Sequence, residues 1–511
     1  MINKHFEQIL EIQHKSAKLD LQYKGVDLWP FLRIIVGYNH ALEKEKMPEP
    51  LIHQSFERKS LKQLIGIAFY YFKQYKEAPK RDKEKICVEK VDFLFLSDHD
   101  RYIKHEGKYQ NVWLAAINNL VQKEFGANTR TVVVCHKELA VGVYDEMLAG
   151  LEKEHLFFKN LLPRVRKKVF FKNAILSLKK IFSPESSVGV KDMPGIKEFY
   201  KLLSDSEIGV TISPENLENR ILNLFSLFDF YEELYTKSRP KVIVMYAFYI
   251  DFFLAAIYVA RKMNIPVVEV QHGLISPFSF AYTNWNEEGK GKLMMLPDYC
   301  FTWDEYVTAR INETSNKTTT AITTGNLSRE YNALKKNENT HSLNQFKADG
   351  NVHVLVTTGY KIIPRNVIDV INKNIPNVFY HFKLHPRYTS AERLEYYKKE
   401  IKNDQVKIYS GNEVSLYDFF NLCKVHITEQ SAVLMEAEEY GLSNIIVSEV
   451  GRDLYAHKIA SGEYFYCKNS EELYSLLLNK DIYKLREVKN IVSKSDMEQS
   501  LTRFFKENII R

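Results

Sequence analysis

Three short stretches of the chain concentrate side chains that can move protons or hold anions. The run VVEVQHGLIS, residues 267–276, sets Gln271, His272 and Gly273 directly after a β-branched, apolar segment. An imidazole has an unperturbed pKa near ~6.5, so on such a loop His272 can accept a hydroxyl proton at neutral pH. Glu269 competes for the role of base; it falls inside the strand pattern, where a carboxylate needs a partner. The second stretch is KLHPR. Lys383, His385 and Arg387 alternate, so they share one side of an extended segment. Pro386 holds the turn and biases His385 towards extended backbone. Three nitrogen-bearing side chains there suit an anion, a phosphate above all, although a basic turn facing solvent has the same composition. The third is VHITEQSAVLMEA, residues 425–437. A strand over 425–428 meets, past Glu429, a helix that starts near Ser431 and Ala432, with Ser431 as a natural N-cap. Free N–H groups and the dipole at that end favour a phosphate or diphosphate. Glu436, about one and a half turns inside, reaches ribose hydroxyls if it faces the ligand. Plain helix capping would use the same Ser431.

These stretches need elements to hold them. Residues 91–97, VDFLFLS, form a near-continuous apolar run, the mark of a strand buried on both faces. A helical pattern over 111–124 and the strand RTVVVCH follow, which is β-α-β grammar. The first ninety residues are predicted helical, and the lysine-rich segment over 137–237 reads as a mostly helical insertion. Beyond it, PKVIVMY, IPVVEVQHG, PDYCFTWDEY and TTAITTGN alternate with helices. The pattern then restarts with NVHVLVTTGY, whose strand ends in Thr357, Thr358 and Gly359, and continues through NVFYHFKLHPR, VKIYSG, CKVHITEQS and LSNIIVSE. The fold class predicted is α/β: two doubly wound, Rossmann-like domains facing across a cleft, over 91–327 and 328–470, preceded by a helical region (1–90) and followed by a helical tail (471–511). In that architecture ligands sit outside the carboxyl ends of the strands, and QHG, TTG, KLHPR and TEQSAV all fall there.

Taken in order, QHG, TGN, KLHPR and TEQSAVLMEA resemble the GT-B-fold transferases of bacterial surface polysaccharides, over roughly residues 241–447. The nearest resemblances are capsule-type glycosyltransferases, including those that use CMP-activated sugars, and the CDP-glycerol glycerophosphotransferases. In the latter the last motif is Ser-Ser-Val-x-x-Asp. Here Ser431, Ala432, Val433 and Glu436 fall on it, Ala432 departing from the second serine and Glu436 from the Asp. Leu274 and Ile275 stand where Thr-Pro is usual, and these departures favour a sugar donor over glycerophosphate. The resemblance implies a metal-independent transfer of sugar from a nucleotide-activated donor, CMP-linked in preference to UDP- or GDP-linked, with no further cofactor. Thr357, Thr358, Gly359, Lys383, His385, Pro386, Arg387, Glu429, Ser431, Ala432 and Glu436 would bind the donor. His272, or Glu269, would be the general base. Asp98, Arg101, Gln271 and Gly273 would line the side of a glycan or lipid-linked glycan acceptor. The alternatives are a glycerophosphotransferase of the same geometry, a nucleotide-sugar 2-epimerase, and a non-catalytic glycan-assembly protein.

Asp98 and Asp100 also form a D-x-D, the carboxylate pair that holds Mg²⁺ or Mn²⁺ in metal-dependent transferases. That placement leaves the other loops without a role, so no metal is expected.

Composition narrows the setting. A 511-residue chain with 45% hydrophobic and 26% charged residues is globular and long enough for two cores. Cys87, Cys135, Cys300, Cys423 and Cys467 show no paired spacing, which argues for a reducing compartment and against zinc. No apolar run is long enough for a bilayer span, so the expected location is cytoplasmic. The net charge of +7 is gathered partly in residues 163–182, where seven Lys or Arg interleave with apolar residues. That stretch, and 61–76, fit either a peripheral contact with the inner membrane face or a solvated helix face. No basic-aromatic signature of a nucleic-acid module is present.

Overall fold

The computed structural model describes residues 2–44, 89–99, 101–134, 146–158, 190, 193–206, 212–285, 293–334, 343–347, 349–359, 362–385, 390–411, 413–487 and 492–510. Asp100, Pro386, Arg387, Cys87, Cys135 and the basic stretches 61–76 and 163–182 lie outside the described residues.

Seventeen strands are described: β1 Gln22–Tyr23, β2 Val26–Asp27, β3 Phe93–Asp98, β4 Tyr102–His105, β5 Lys108–Asn111, β6 Thr129–Val134, β7 Leu156–Phe158, β8 Val242–Met245, β9 Val267–Val270, β10 Tyr299–Thr302, β11 Thr320–Thr323, β12 Val352–Thr357, β13 Val378–Lys383, β14 Val406–Tyr409, β15 Val425–Thr428, β16 Ser443–Ile446 and β17 Tyr464–Tyr466. Thirteen of them build two parallel sheets, β11-β10-β9-β8-β3-β6-β7 and β14-β13-β12-β15-β16-β17. The fold is therefore the predicted one, two doubly wound α/β domains. Every residue of β3, β8, β9, β15 and β16 is buried, as parallel strands covered by helices on both faces require. Each fully buried Val, Leu, Ile or Phe contributes about 1.5–3 kcal/mol.

The strand orders place two crevices. In the first sheet the chain runs from β3 outward to β6 and β7, then returns to β8 on the other side of β3. The second sheet repeats this, running from β12 to β13 and β14 and returning to β15 beside β12. Each reversal opens a crevice at the carboxyl ends of two neighbouring strands. The first crevice lies past Asp98 and Met245. The second lies past Thr357 and Thr428.

Two neighbouring elements differ from expectation. The helix predicted over 111–124 begins only at Ala115. Residues 108–111 form β5 instead, an antiparallel partner of β4, and the Asn111 carboxamide accepts from Trp113 N–H at 3.1 Å to turn the chain. The C-terminal helix Lys494–Asn508 packs on the first sheet: Phe504 meets Tyr299 and Phe301 at 4.8 and 5.0 Å, and Phe505 meets Phe93 at 5.2 Å.

Candidate functional site

Gln271 fixes the His-Gly loop. Its amide donates to the Gly273 carbonyl at 2.9 Å and accepts from Trp303 N–H at 2.8 Å, while the Trp303 indole donates to the Gln271 carbonyl. Almost fully buried, Gln271 clamps β9 to β10. Gly273 leaves open space where a side chain would begin.

His272 is thereby held at the sheet edge. Its Nε2 is 3.0 Å from the Tyr249 hydroxyl, and its ring is edge-on to Trp113 at 5.5 Å, with Tyr246 at 5.9 Å. Nδ1 has no hydrogen-bond partner and lies 3.9 Å from Glu269 Oε1. Burial, and then the charge of Arg101, lower its pKa to about 4, so the imidazole is neutral at pH 7.

Glu269 sits behind it. The Tyr282 hydroxyl donates to Oε1 at 2.7 Å and Phe248 N–H to Oε2 at 3.3 Å. Ala247, between β8 and Phe248, adopts φ +53°, a left-handed conformation costly for a residue with a Cβ. Its amide also hydrogen-bonds the Glu269 carboxylate. Burial pushes Glu269 up to about 8. The two candidate bases differ in access: 19% of the His272 side chain is exposed and none of Glu269. Only His272 can touch a ligand in this arrangement; Glu269 faces its back.

Asp98 is buried and accepts from the Tyr246 hydroxyl at 2.7 Å, to which Asn111 donates at 3.2 Å. Arg101 is exposed and lies over Trp113 at 5.4 Å. Trp113, Tyr246 and Tyr249 were not singled out from the sequence. The available signal is the aromatic run in MYAFYID, directly past a buried strand.

In the second domain, Thr357 is buried, and Thr358 donates its N–H to the Lys383 carbonyl at 3.1 Å. The Thr358 hydroxyl is buried without a hydrogen-bond partner. Gly359 borders open space, and its carbonyl accepts from Arg393. His385 is half-buried at the end of β13. Lys383 departs from the expected shared anion-binding side. It is buried, and its ammonium donates to the carbonyls of Gly411 at 2.5 Å and Val414 at 2.8 Å, because the loop after β14 folds over it. Burial lowers its pKa to about 8.

The helix after β15 spans Val433–Glu438 with Ala432 at its N-cap, one residue later than expected. Ser431 is half-buried, and its hydroxyl accepts from Val433 N–H at 3.3 Å in the preceding turn. Glu436 accepts from the Tyr417 hydroxyl at 3.0 Å. The Glu429 carbonyl accepts from Ser448 and is pressed against Gly451. The two crevices are neighbours: Leu274, two residues past His272, packs against the second-domain cluster of Leu434, Ile446, Tyr455 and Tyr464. Arg329 donates to the Glu439 carbonyl nearby, and Tyr306 stacks on His457 at 3.8 Å.

No protein-family profile and no curated protein matches the chain. Among solved structures, a UDP-N-acetylglucosamine 2-epimerase is similar over 82% of this chain and 95% of its own, with a TM-score of 0.50 and 13% identity. The UDP-GlcNAc 2-epimerase from Neisseria meningitidis, bound to UDP-GlcNAc, is similar over 82% of this chain and 100% of its own, with a TM-score of 0.51 and 12% identity. At such identities the likeness is one of fold. It nonetheless corrects the expected glycosyltransferase: these two structures, matched along nearly their whole length, are 2-epimerases, the alternative reading of the sequence. The preference for a CMP-linked sugar has no counterpart either, since the ligand in the second structure is UDP-linked.

Proposed function

We propose that the protein is a nucleotide-sugar 2-epimerase acting on a UDP-linked 2-acetamido sugar. The observation that carries this reading is the placement of His272. It is a neutral, partly exposed imidazole at the first sheet's carboxyl edge, on a loop whose Leu274 packs beside the second domain's strand-end helix. A ligand spanning the two crevices would set its diphosphate near Thr358, Gly359 and Ser431 and its sugar beside His272.

Inversion at C2 requires that the C2–H bond break and re-form. The C2 proton is acidified when the C1–O bond to the diphosphate loosens and C1 gains cationic character. A base takes that proton, the C–H electrons form a C1–C2 double bond, and UDP leaves with the C1–O pair. Re-addition of UDP to C1 and of a proton to the other face of C2 gives the epimer. Neutral His272 is in the protonation state a base needs; with Nδ1 buried towards Glu269, the proton is taken at Nε2 as the Tyr249 hydroxyl turns aside, and an adjacent diphosphate stabilises the conjugate acid. Glu269, with its pKa raised to about 8, faces the back of the ring; largely protonated at pH 7, it becomes a counter-charge to the imidazolium only on giving up that proton. Proton NMR of UDP-GlcNAc incubated with the full chain tests the reading: the anomeric signal of the C2 epimer is expected, and an unchanged spectrum at stoichiometric enzyme contradicts it.

A further inference from the structure

A buried histidine connects the two halves of the second crevice. Thr357 Oγ1 lies 2.8 Å from His426 Nε2, and His426 Nδ1 lies 3.0 Å from Asn444 Oδ1. Asn444 Nδ2 donates to the Leu434 carbonyl at 2.8 Å, and the Thr428 hydroxyl donates to the Thr357 carbonyl at 3.1 Å. His426 is fully buried, and Thr357, Thr428 and Asn444 are buried with it. The direction of the protons follows. The Asn444 amide nitrogen is spent on Leu434, so its oxygen accepts and His426 Nδ1 carries the proton. Burial keeps the imidazole neutral. Nε2 is then an acceptor, and the Thr357 hydroxyl must donate to it.

We infer that His426 is a positioning residue for nucleotide binding, holding the Thr357 hydroxyl and with it the loop 357–359. The inference rests on the proposed nucleotide-sugar reading. With its hydroxyl proton committed to His426, Thr357 is held in one rotamer. Thr358, the first residue past β12, has a buried hydroxyl without a hydrogen-bond partner. The same imidazole holds Asn444, which holds the Leu434 carbonyl one residue into the helix. The Thr357 end of this bridge lies at the point where the strand order reverses. The other buried histidine chain on this sheet differs. His353 Nδ1 meets His381 Nε2 at 3.0 Å, and His381 Nδ1 meets Tyr409 at 3.0 Å; its outer end is the Phe346 carbonyl.

Two substitutions separate positioning from mere packing. His426→Gln keeps an acceptor near the place of Nε2 and loses the Asn444 bond. His426→Asn keeps a donor near the place of Nδ1 and loses the acceptor for Thr357. UDP affinity by calorimetry and Tm are measured on the full chain for the parent and both variants. We expect both variants to lose Tm to a similar degree. We expect UDP binding to weaken about tenfold in His426→Asn, the worth of one lost hydrogen bond, and to stay near the parent value in His426→Gln. Equal affinities in the two variants, or affinities that fall only in step with Tm, overturn the inference while leaving the nucleotide reading intact. A parent protein that does not bind UDP overturns that reading itself, and the inference with it.

Discussion

The Nε2 of His272 lies 3.0 Å from the hydroxyl of Tyr249, joining the loops that follow β9 and β8. This bond fixes the imidazole plane and leaves Nδ1 towards Glu269, so one strand-end loop orients the reactive group of the next. Tyr249→Phe is expected to lower kcat about tenfold with KM nearly unchanged, since only the orientation of a ring is lost. A rise in KM at constant kcat would assign Tyr249 to binding.

Lys383 is expected to behave as a structural residue. Lys383→Met leaves the Gly411 and Val414 carbonyls buried without their donor, at a cost of about 1–3 kcal/mol each. Denaturant titration should show that loss. A variant that keeps its stability and loses only UDP affinity would restore Lys383 to the anion site.

Two glycines beside the site should respond in opposite ways. A Cβ on Gly451 falls 2.0 Å from the Glu429 carbonyl, so Gly451→Ala must displace the loop after β15. It should destabilise by about 1–3 kcal/mol. Gly273→Ala meets nothing within 4 Å and should leave Tm unchanged. Equal Tm values for both variants would contradict the placement of the 429–431 loop.

Stability should fall on both sides of neutrality, for two separate reasons. Burial holds His272 and His426 down to about 4 and, with neighbouring His353, His381 down to about 3. Their folded pKa values lie below the ordinary 6.5. The unfolded chain therefore binds more protons, and stability is lost as pH falls from about 6.5 towards 3. Glu269 works in the other direction. Its folded pKa of about 8 lies above the ordinary 4.5, so the folded state holds the extra proton and stability declines as pH rises from 4.5 to 8. Burial raises Glu439 to about 8 as well, so Glu269→Gln should reduce the decline between pH 6.5 and 8 without abolishing it and leave the acid limb in place. An unchanged alkaline slope in that variant would remove Glu269 as its source.

The sheets were legible because parallel strands covered on both faces are short, continuous apolar runs: FLFLS, VIVM and VVEV are all buried. Strand ends with Gly, Thr, His and Ser marked the two crevices for the same reason. Alternation put Lys383 on one side with His385 and Arg387 and gave no sign that the distant Gly411 and Val414 carbonyls draw its ammonium inward. The helix expected from 111 failed because Asn111 spends its carboxamide on the backbone, a choice periodicity does not register. Tyr246, Tyr249 and Trp113 read as core aromatics until β3 and β8 become neighbours. The proposed reaction is the least legible part. Loops that suit a phosphate serve enzymes that transfer a sugar and enzymes that return it to the same nucleotide alike, so such loops do not tell which bond is finally made.

Exchange at C2 tests the central claim most directly. UDP-GlcNAc is incubated in D₂O with the parent protein and with His272→Ala, and the C2 proton is followed by NMR. The account predicts deuterium at C2 of both epimers with the parent, and a rate about 10²–10⁴ lower with His272→Ala, at a UDP affinity within about threefold of the parent. Retention of the C2 proton by the parent, under conditions in which UDP is bound, would contradict it.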